Sequence, residues 1–269
     1  SYNKRHGIQS VTPNGAFWAR DLNTLEDSAG VKSDDAERFF NSTLEEPCNT
    51  LLDSLTEQVI SNSTVTLSPD ERTLLNDFVY FQFKRTPDAN AKFMGDVPTE
   101  TDISHLVNEY EQNAGRRITP EERAQIFSVE GQKKIAQRGR VLASTALADE
   151  EVTKALSSIS ACFLVAPRSS SFVLGSDPVL RFGGRLDSEG AALVLPISKR
   201  TACVWGTKYR NGTIVHANKN QIRSLNESTA RESTAIASCA EPLTKSLSRF
   251  VQVTNLRRAE DDNQRYSAV

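Results

Sequence analysis

Residues 171–205 read SFVLGSDPVLRFGGRLDSEGAALVLPISKRTACVW, and here the chain changes period. The run up to Leu174 is built from residues that fit a pleated surface. Gly175-Ser176-Asp177-Pro178 then forces a sharp turn into a second short run from Val179. A loop around Gly183-Gly184 leads to the continuous apolar run 191–195, closed by Pro196. The runs 160–165, 171–174, 179–182, 191–195, 201–205 and 213–216 are all short and β-branched or aromatic. Each is bounded by Pro, Gly, Asn or Ser, which predicts a block of strands. Arg210-Asn211-Gly212, between the last two, carries the signal of a hairpin turn.

Upstream the period is helical. Between 34 and 60, Phe39, Phe40, Leu44, Cys48, Leu51, Leu52, Leu55 and Val59 recur at helical spacing, and Pro47 predicts a kink or a pair of helices. Ser68-Pro69-Asp70-Glu71 is an N-cap, a proline at the first helical position and a glutamate at the capping-box position. The helix it opens carries Leu74, Leu75, Phe78, Val79 and Phe81 and must stop before Pro87. It is apolar nearly all round in its middle, which predicts a central buried helix. Residues 99–115 form a further helix ended by Gly115, and Thr119-Pro120-Glu121-Glu122 repeats the cap. Helix continues to about 158, with breaks expected near Gly131 and 148–150 and mobility near Gly131 and over 84–96. Phe17-Trp18-Ala19-Arg20-Asp21, after the Asn14-Gly15 turn, reads as a short strand.

Downstream, 218–248 returns to helix with Pro242 opening a second segment, and the polar tail 254–269 is expected to be disordered. Helices, then a block of strands, then a closing helix predict an α+β fold rather than alternating α/β. The expected organisation is one domain over 1–253. It is helical over 30–158, a mostly antiparallel short-stranded sheet over 159–217, and a closing helix over 218–248.

Charge and motifs narrow the function classes. A net charge of −2 over 269 residues gives no global attraction to nucleic acid or an anionic membrane. No run approaches the roughly 20 apolar residues of a membrane span, and no signal-peptide core is visible, so a cytoplasmic protein is expected. The absence of an initiator Met before Ser1 has two readings: the Met is removed, or a segment precedes it. Cys48, Cys162, Cys203 and Cys239 are scattered and read as buried small hydrophobes. His6, His105 and His216 stand at no metal-ligand spacing, and each reads as solvated or structural. Zinc-protease, zinc-deaminase, nucleophile-elbow, P-loop and dinucleotide motifs are all absent. No resident cofactor is therefore expected.

Ser176-Asp177-Pro178 is the candidate site. A carboxylate at such an edge can bind a metal, act as a base or orient a histidine. The structural reading is an Asx-turn, with Asp177 bonding backbone amides and Pro178 fixing the next dihedral. Gln82 and Arg85 lie near the end of a helix stopped by Thr86-Pro87. A buried Arg needs a partner, so Arg85 either links its helix to a carboxylate such as Asp177 or binds an anionic ligand.

Four stretches together resemble one family. Residues 17–21 and the Glu45-Glu46 helix resemble its aromatic strand and acidic helix, and Gln82 to Pro87 resembles its Gln-x-x-Arg-Thr-Pro helix end. Residues 172–180, followed by Leu195-Pro196-Ile197-Ser198, resemble its Ser-Asp-x-Pro turn and Pro-Leu-Ser strand end, and 222–237 with Leu225-Asn226 resembles its closing helix. The family is the mainly bacterial domain of unknown function 4238. The resemblance adds Asn226 to Gln82 and Ser176 as candidate binding residues. This chain lacks the family's His-His-x-x-Pro segment and has no residue between Asp177 and Pro178. Two functions follow as expectations. One is a bacterial or phage cytoplasmic protein acting through a protein partner, in defence or regulation. The alternative is a metal-dependent hydrolase, a phosphodiesterase or nuclease, with Asp177 and Arg85 catalytic and a divalent metal as cofactor.

Overall fold

Local signals set the helix boundaries. In a computed structural model of the chain, the described residues are 1–3, 6–11, 24–26, 32–61, 64–86, 88, 99–146, 148–186 and 188–251. The expected strand at 17–21, the tail at 254–269 and most of 84–96 lie outside them.

Helix α1 (Asp35–Phe40) passes through a π-helical turn, Asn41–Glu45, into α2 (Glu46–Ser61). Pro47 has no N–H to donate, and the wider turn just before it absorbs the register change. Two α-helices thus meet through this turn just before Pro47, one of the two outcomes expected there. In α3 (Pro69–Arg85) the capping box is closed: Glu71 N donates to Ser68 Oγ at 3.3 Å and Ser68 N to Glu71 Oε2 at 2.7 Å. Helix α4 (Glu100–Ala114) ends on Gly115 at φ 65°, the left-handed conformation that glycine adopts at least cost.

Between α5 (Pro120–Phe127) and α6 (Val129–Thr145) the break falls at Ser128, not Gly131. Gly131 lies in the first turn of α6, where a Cβ would strike the Gln125 carbonyl. It permits a close approach rather than marking a break. Helix α7 (Glu150–Ser158) follows, capped by Asp149, whose Oδ1 accepts from Val152 N at 2.8 Å.

The first strands are short: β1 (Tyr2–Asn3), β2 (Gly7–Ile8) and the pair β3 (Leu25–Glu26) and β4 (Lys32–Ser33). The central block contains β5 (Ser160–Val165), β6 (Leu174–Gly175), β7 (Leu180–Phe182), β8 (Ala192–Pro196), β9 (Thr201–Gly206) and β10 (Ile214–His216). Helix α8 (Lys219–Glu232) comes next, then β11 (Ala235–Ala237) and α9 (Glu241–Leu247). The fold is α+β, as its element order predicts. The region 218–248 is corrected, because β11 interrupts its helices.

Apart from the β3–β4 pair, the strands fall into two sheets. The five-stranded sheet has the order β10-β5-β9-β8-β7, and a four-stranded sheet has the order β2-β1-β11-β6. The expected run 171–174 is strand only at its end, where β6 (Leu174–Gly175) joins β11 in the second sheet while β7 lies in the first. Gly175-Ser176-Asp177-Pro178 is thus a crossing between sheets.

The expected hairpin at Asn211-Gly212 is also replaced. β5 lies between β9 and β10, antiparallel to the first and parallel to the second, with Phe163 opposite both Cys203 and Ile214. The turn instead fastens onto β5 and the α2–α3 link. Asn211 Oδ1 accepts from Ala161 N at 2.8 Å and Arg72 Nη1 at 3.2 Å, and Val65 N donates to Gly212 O at 2.9 Å. Gly212 sits at φ 71°, where an added Cβ would collide with the Val65 carbonyl.

Strand alternation splits the apolar residues between the two faces of the five-stranded sheet. Phe163, Leu193, Leu195, Cys203 and Trp205 pack with Leu55 and Val59 of α2 and Leu75 and Val79 of α3. Cys162, Leu180, Val194, Ala202 and Val204 pack with Ile222 of α8. Each such large side chain contributes about 1.5–3 kcal/mol through removal from water. Among the described residues no helix is long and apolar enough to cross a membrane.

Cys48, Cys162 and Cys203 are buried and free, as expected, whereas Cys239 is exposed, which corrects its expected burial. It lies in the turn between β11 and α9, outside the core clusters. Burial pushes the Cys48 thiol up to about 12 and the Cys162 thiol up to about 11, and raises that of Cys203 as well. An aromatic disulfide reagent is accordingly expected to titrate Cys239 alone in the native protein, and all 4 cysteines after denaturation. Rapid reaction of a second thiol in the native state would contradict this core.

Candidate functional site

The crossing at 175–178 is held where three parts of the chain meet. Gly175 brings the β6 backbone against the C-terminal end of α8, because a Cβ there would overlap Ser233 Oγ and Thr229 Cγ2. That approach lets Ser233 Oγ accept from Asp177 N at 3.3 Å and donate to Asp177 O at 3.4 Å. Ser176 N donates to Ala235 O at 2.9 Å, which aligns the crossing with the start of β11.

The third part is Asp88, two residues beyond Thr86, the C-cap of α3. Its carboxylate reaches across the crossing. Ser176 Oγ–H donates to Asp88 Oδ2 in a short hydrogen bond. Thr234 N donates to Asp88 Oδ2 and Thr234 Oγ1–H to Asp88 Oδ1, each at 2.8 Å. Ser176 Oγ in turn accepts from Thr234 N at 3.1 Å and Ala235 N at 3.0 Å. Ser176, Asp177 and Asp88 are all buried. In a low-dielectric setting such a network is stabilising only when its members satisfy one another, and Ser176 does so fully, giving one bond and accepting two.

Of the residues singled out from sequence, Ser176 and Asp177 are brought together here. Asn226 is 2% exposed and acts next door as a clamp on α8. Its Oδ1 accepts from Val173 N at 3.1 Å, and its Nδ2 donates to Ser171 O at 2.8 Å. These bonds fix the strand that enters the crossing. Arg85 pairs with Glu45 Oε1 at 2.5 Å and Glu37 Oε2 at 4.0 Å, with its guanidinium 4.7 Å from the Phe40 ring centroid. It therefore ties α3 to α1 and the π-helical turn. Gln82 is half-buried on α3, one turn before Arg85. Among the described residues no group of three His, Cys, Asp or Glu side chains is arranged to hold a metal.

Sequence reasoning missed Asp88, Ser233 and Thr234. Asp88 follows a helix-stopping proline and reads as loop. The Ser233-Thr234 pair reads as the ragged end of a helix. The one usable signal was the hydroxyl pair placed between a helix and a short apolar run, where capping and turn hydrogen bonds concentrate.

Two of the stretches that carry the family resemblance, 172–180 and 222–237, meet in the knot around Ser176. A family model described as "Protein of unknown function (DUF4238)" matches residues 1–242, and the chain belongs to that family. No curated protein and no solved structure matches the chain.

Proposed function

We propose that the protein acts by binding a protein partner, in a cytoplasmic regulatory or defence role, rather than by turning over a substrate at the Ser176-Asp177-Pro178 crossing. The observation that carries this reading is the saturation of Ser176, whose hydroxyl donates a hydrogen bond to Asp88 and accepts from two backbone amides. A hydroxyl so committed is poorly placed to attack a substrate. Large apolar side chains open to solvent give it further support. Leu106 and Tyr110 lie one turn apart on α4, 50% and 47% exposed, and Val129 and Leu142 of α6 are exposed further.

The alternative is a metal-dependent hydrolase using Asp177. It is favoured by the second buried carboxylate, Asp88, which shares contact with Ser176. Asp177→Asn discriminates between the two readings. The binding reading expects the variant to retain its fold and the same partner in a pull-down from the source cell extract. Leu106→Asp with Tyr110→Asp should lose that partner. Loss of a divalent-metal-dependent phosphodiesterase activity in Asp177→Asn, with the fold intact, would reverse the assignment.

A further inference from the structure

A second place in the fold carries chemistry that the knot does not use. β5 and β10 are parallel neighbours, so both chains leave the sheet at the same end and diverge there. Divergence at the carboxyl ends of parallel strands opens a crevice between the departing segments. Here it is a cleft of about 290 Å³, between Ala166-Pro167-Arg168 after β5, His216-Ala217 at the end of β10, and the end of α2. One wall is apolar, from Val59 and Ile60. The polar side chains lining it are Arg168, Arg200 and His216, and no lining residue is acidic.

Each of these three groups keeps donor capacity free among the described residues. Arg200 is anchored by Nη2 at 3.1 Å and Nε at 3.4 Å from Ala166 O, which holds the guanidinium plane against the cleft and leaves Nη1 without a hydrogen bond among the described residues. Arg168 and His216 make no side-chain hydrogen bond or ion pair there either. Helix α8 starts just beyond His216, but Asn218 Oδ1 already accepts from Gln221 N at 3.0 Å and Gln221 Oε1 from Asn218 N at 2.8 Å. The charge of the cleft therefore comes from its side chains, with the helix adding only its favourable field.

We propose that this cleft binds a phosphomonoester with a small apolar body. Two guanidinium groups match the charge of a phosphate dianion; the planar fork of Arg168 suits two of its oxygens and Arg200 Nη1 can take another. The imidazole supplies a third donor. The volume lies at the lower end for ligand sites, which suits a monophosphate and leaves no room for a dinucleotide. The Val59 and Ile60 wall receives the organic part.

The test is titration calorimetry on the full chain with phenyl phosphate, inorganic phosphate and benzoate as probes. Phenyl phosphate should bind saturably in the millimolar range or tighter, with inorganic phosphate and benzoate each several-fold weaker. Arg168 is exposed, so Arg168→Gln should fold normally and weaken phenyl phosphate at least about tenfold, through the loss of its charge-assisted hydrogen bonds. Adding Arg200→Gln should abolish binding. No saturable phenyl phosphate binding, an affinity unchanged in Arg168→Gln, or benzoate binding as tightly as phenyl phosphate would each overturn the proposal.

Discussion

Replacing Asp88 with alanine is expected to cost the protein about 2–4 kcal/mol, a large share of the roughly 5–15 kcal/mol that separates folded from unfolded domains. The carboxylate receives the Ser176 hydroxyl, the Thr234 hydroxyl and the Thr234 amide. Removing it leaves the buried Ser176 hydroxyl and the half-buried Thr234 hydroxyl short of their acceptor, and takes away three hydrogen bonds that join the segment after α3 to the crossing and the start of β11. The Thr234 amide keeps Ser176 Oγ as an acceptor at 3.1 Å, which holds the loss below a full three-bond penalty. Asp88→Asn should cost less than alanine. It preserves shape and one acceptor oxygen but turns an amide toward groups that are themselves donors. Urea denaturation followed by far-ultraviolet circular dichroism measures both variants, and equal stability of Asp88→Ala and the parent would contradict the role given to Asp88.

Trp205→Ala is expected to have an effect at least as large, about 3–5 kcal/mol, from lost burial and the cavity left behind. Trp205 is fully buried on β9, in the face of the sheet that meets α3. Its Nε1–H donates to Asn76 Oδ1 at 2.9 Å, so truncation also strands the side chain of a buried asparagine inside α3. Trp205→Phe keeps most of the volume and loses chiefly the hydrogen bond, and should fall well short of alanine. The same denaturation measurement separates the two. A phenylalanine variant as damaged as alanine would place the weight on the Asn76 bond instead of on packing.

Asn76 shows why parts of this fold were legible in sequence and others were not. The starts of α3, α4 and α5 follow from capping boxes at Ser68, Thr99 and Thr119, each closed by a carboxylate three residues on, and local chemistry of that kind is complete in the sequence. That α3 would be buried was legible from its apolar middle, and its buried face carries Leu75, Val79 and Phe81. The polar residue within that face was not, because its partner on β9 lies 129 positions away. Strand existence was legible for the same local reason, and strand pairing was not. Asn211-Gly212 has the chemistry of a hairpin turn, yet β5 takes the central place and pairs with both flanking strands.

The site divides similarly. Ser176 and Asp177 were visible as a sharp break between β-rich runs. Asp88 and Thr234 carry no period, and they join Ser176 across separations of 88 and 58 positions. β11 was hidden by its length of 3 residues between two helices.

That the crossing is a closed hydrogen-bonded latch is tested most directly by a double-mutant cycle between Asp88→Ala and Thr234→Val, read as unfolding free energy in urea. Thr234→Val keeps the side-chain shape and removes only the hydroxyl that bonds Asp88 Oδ1. A latch predicts that the second substitution costs little once the first is made, with a coupling of about 1 kcal/mol or more. Costs that add to within about 0.3 kcal/mol would mean that the two residues act independently, and the latch would be contradicted.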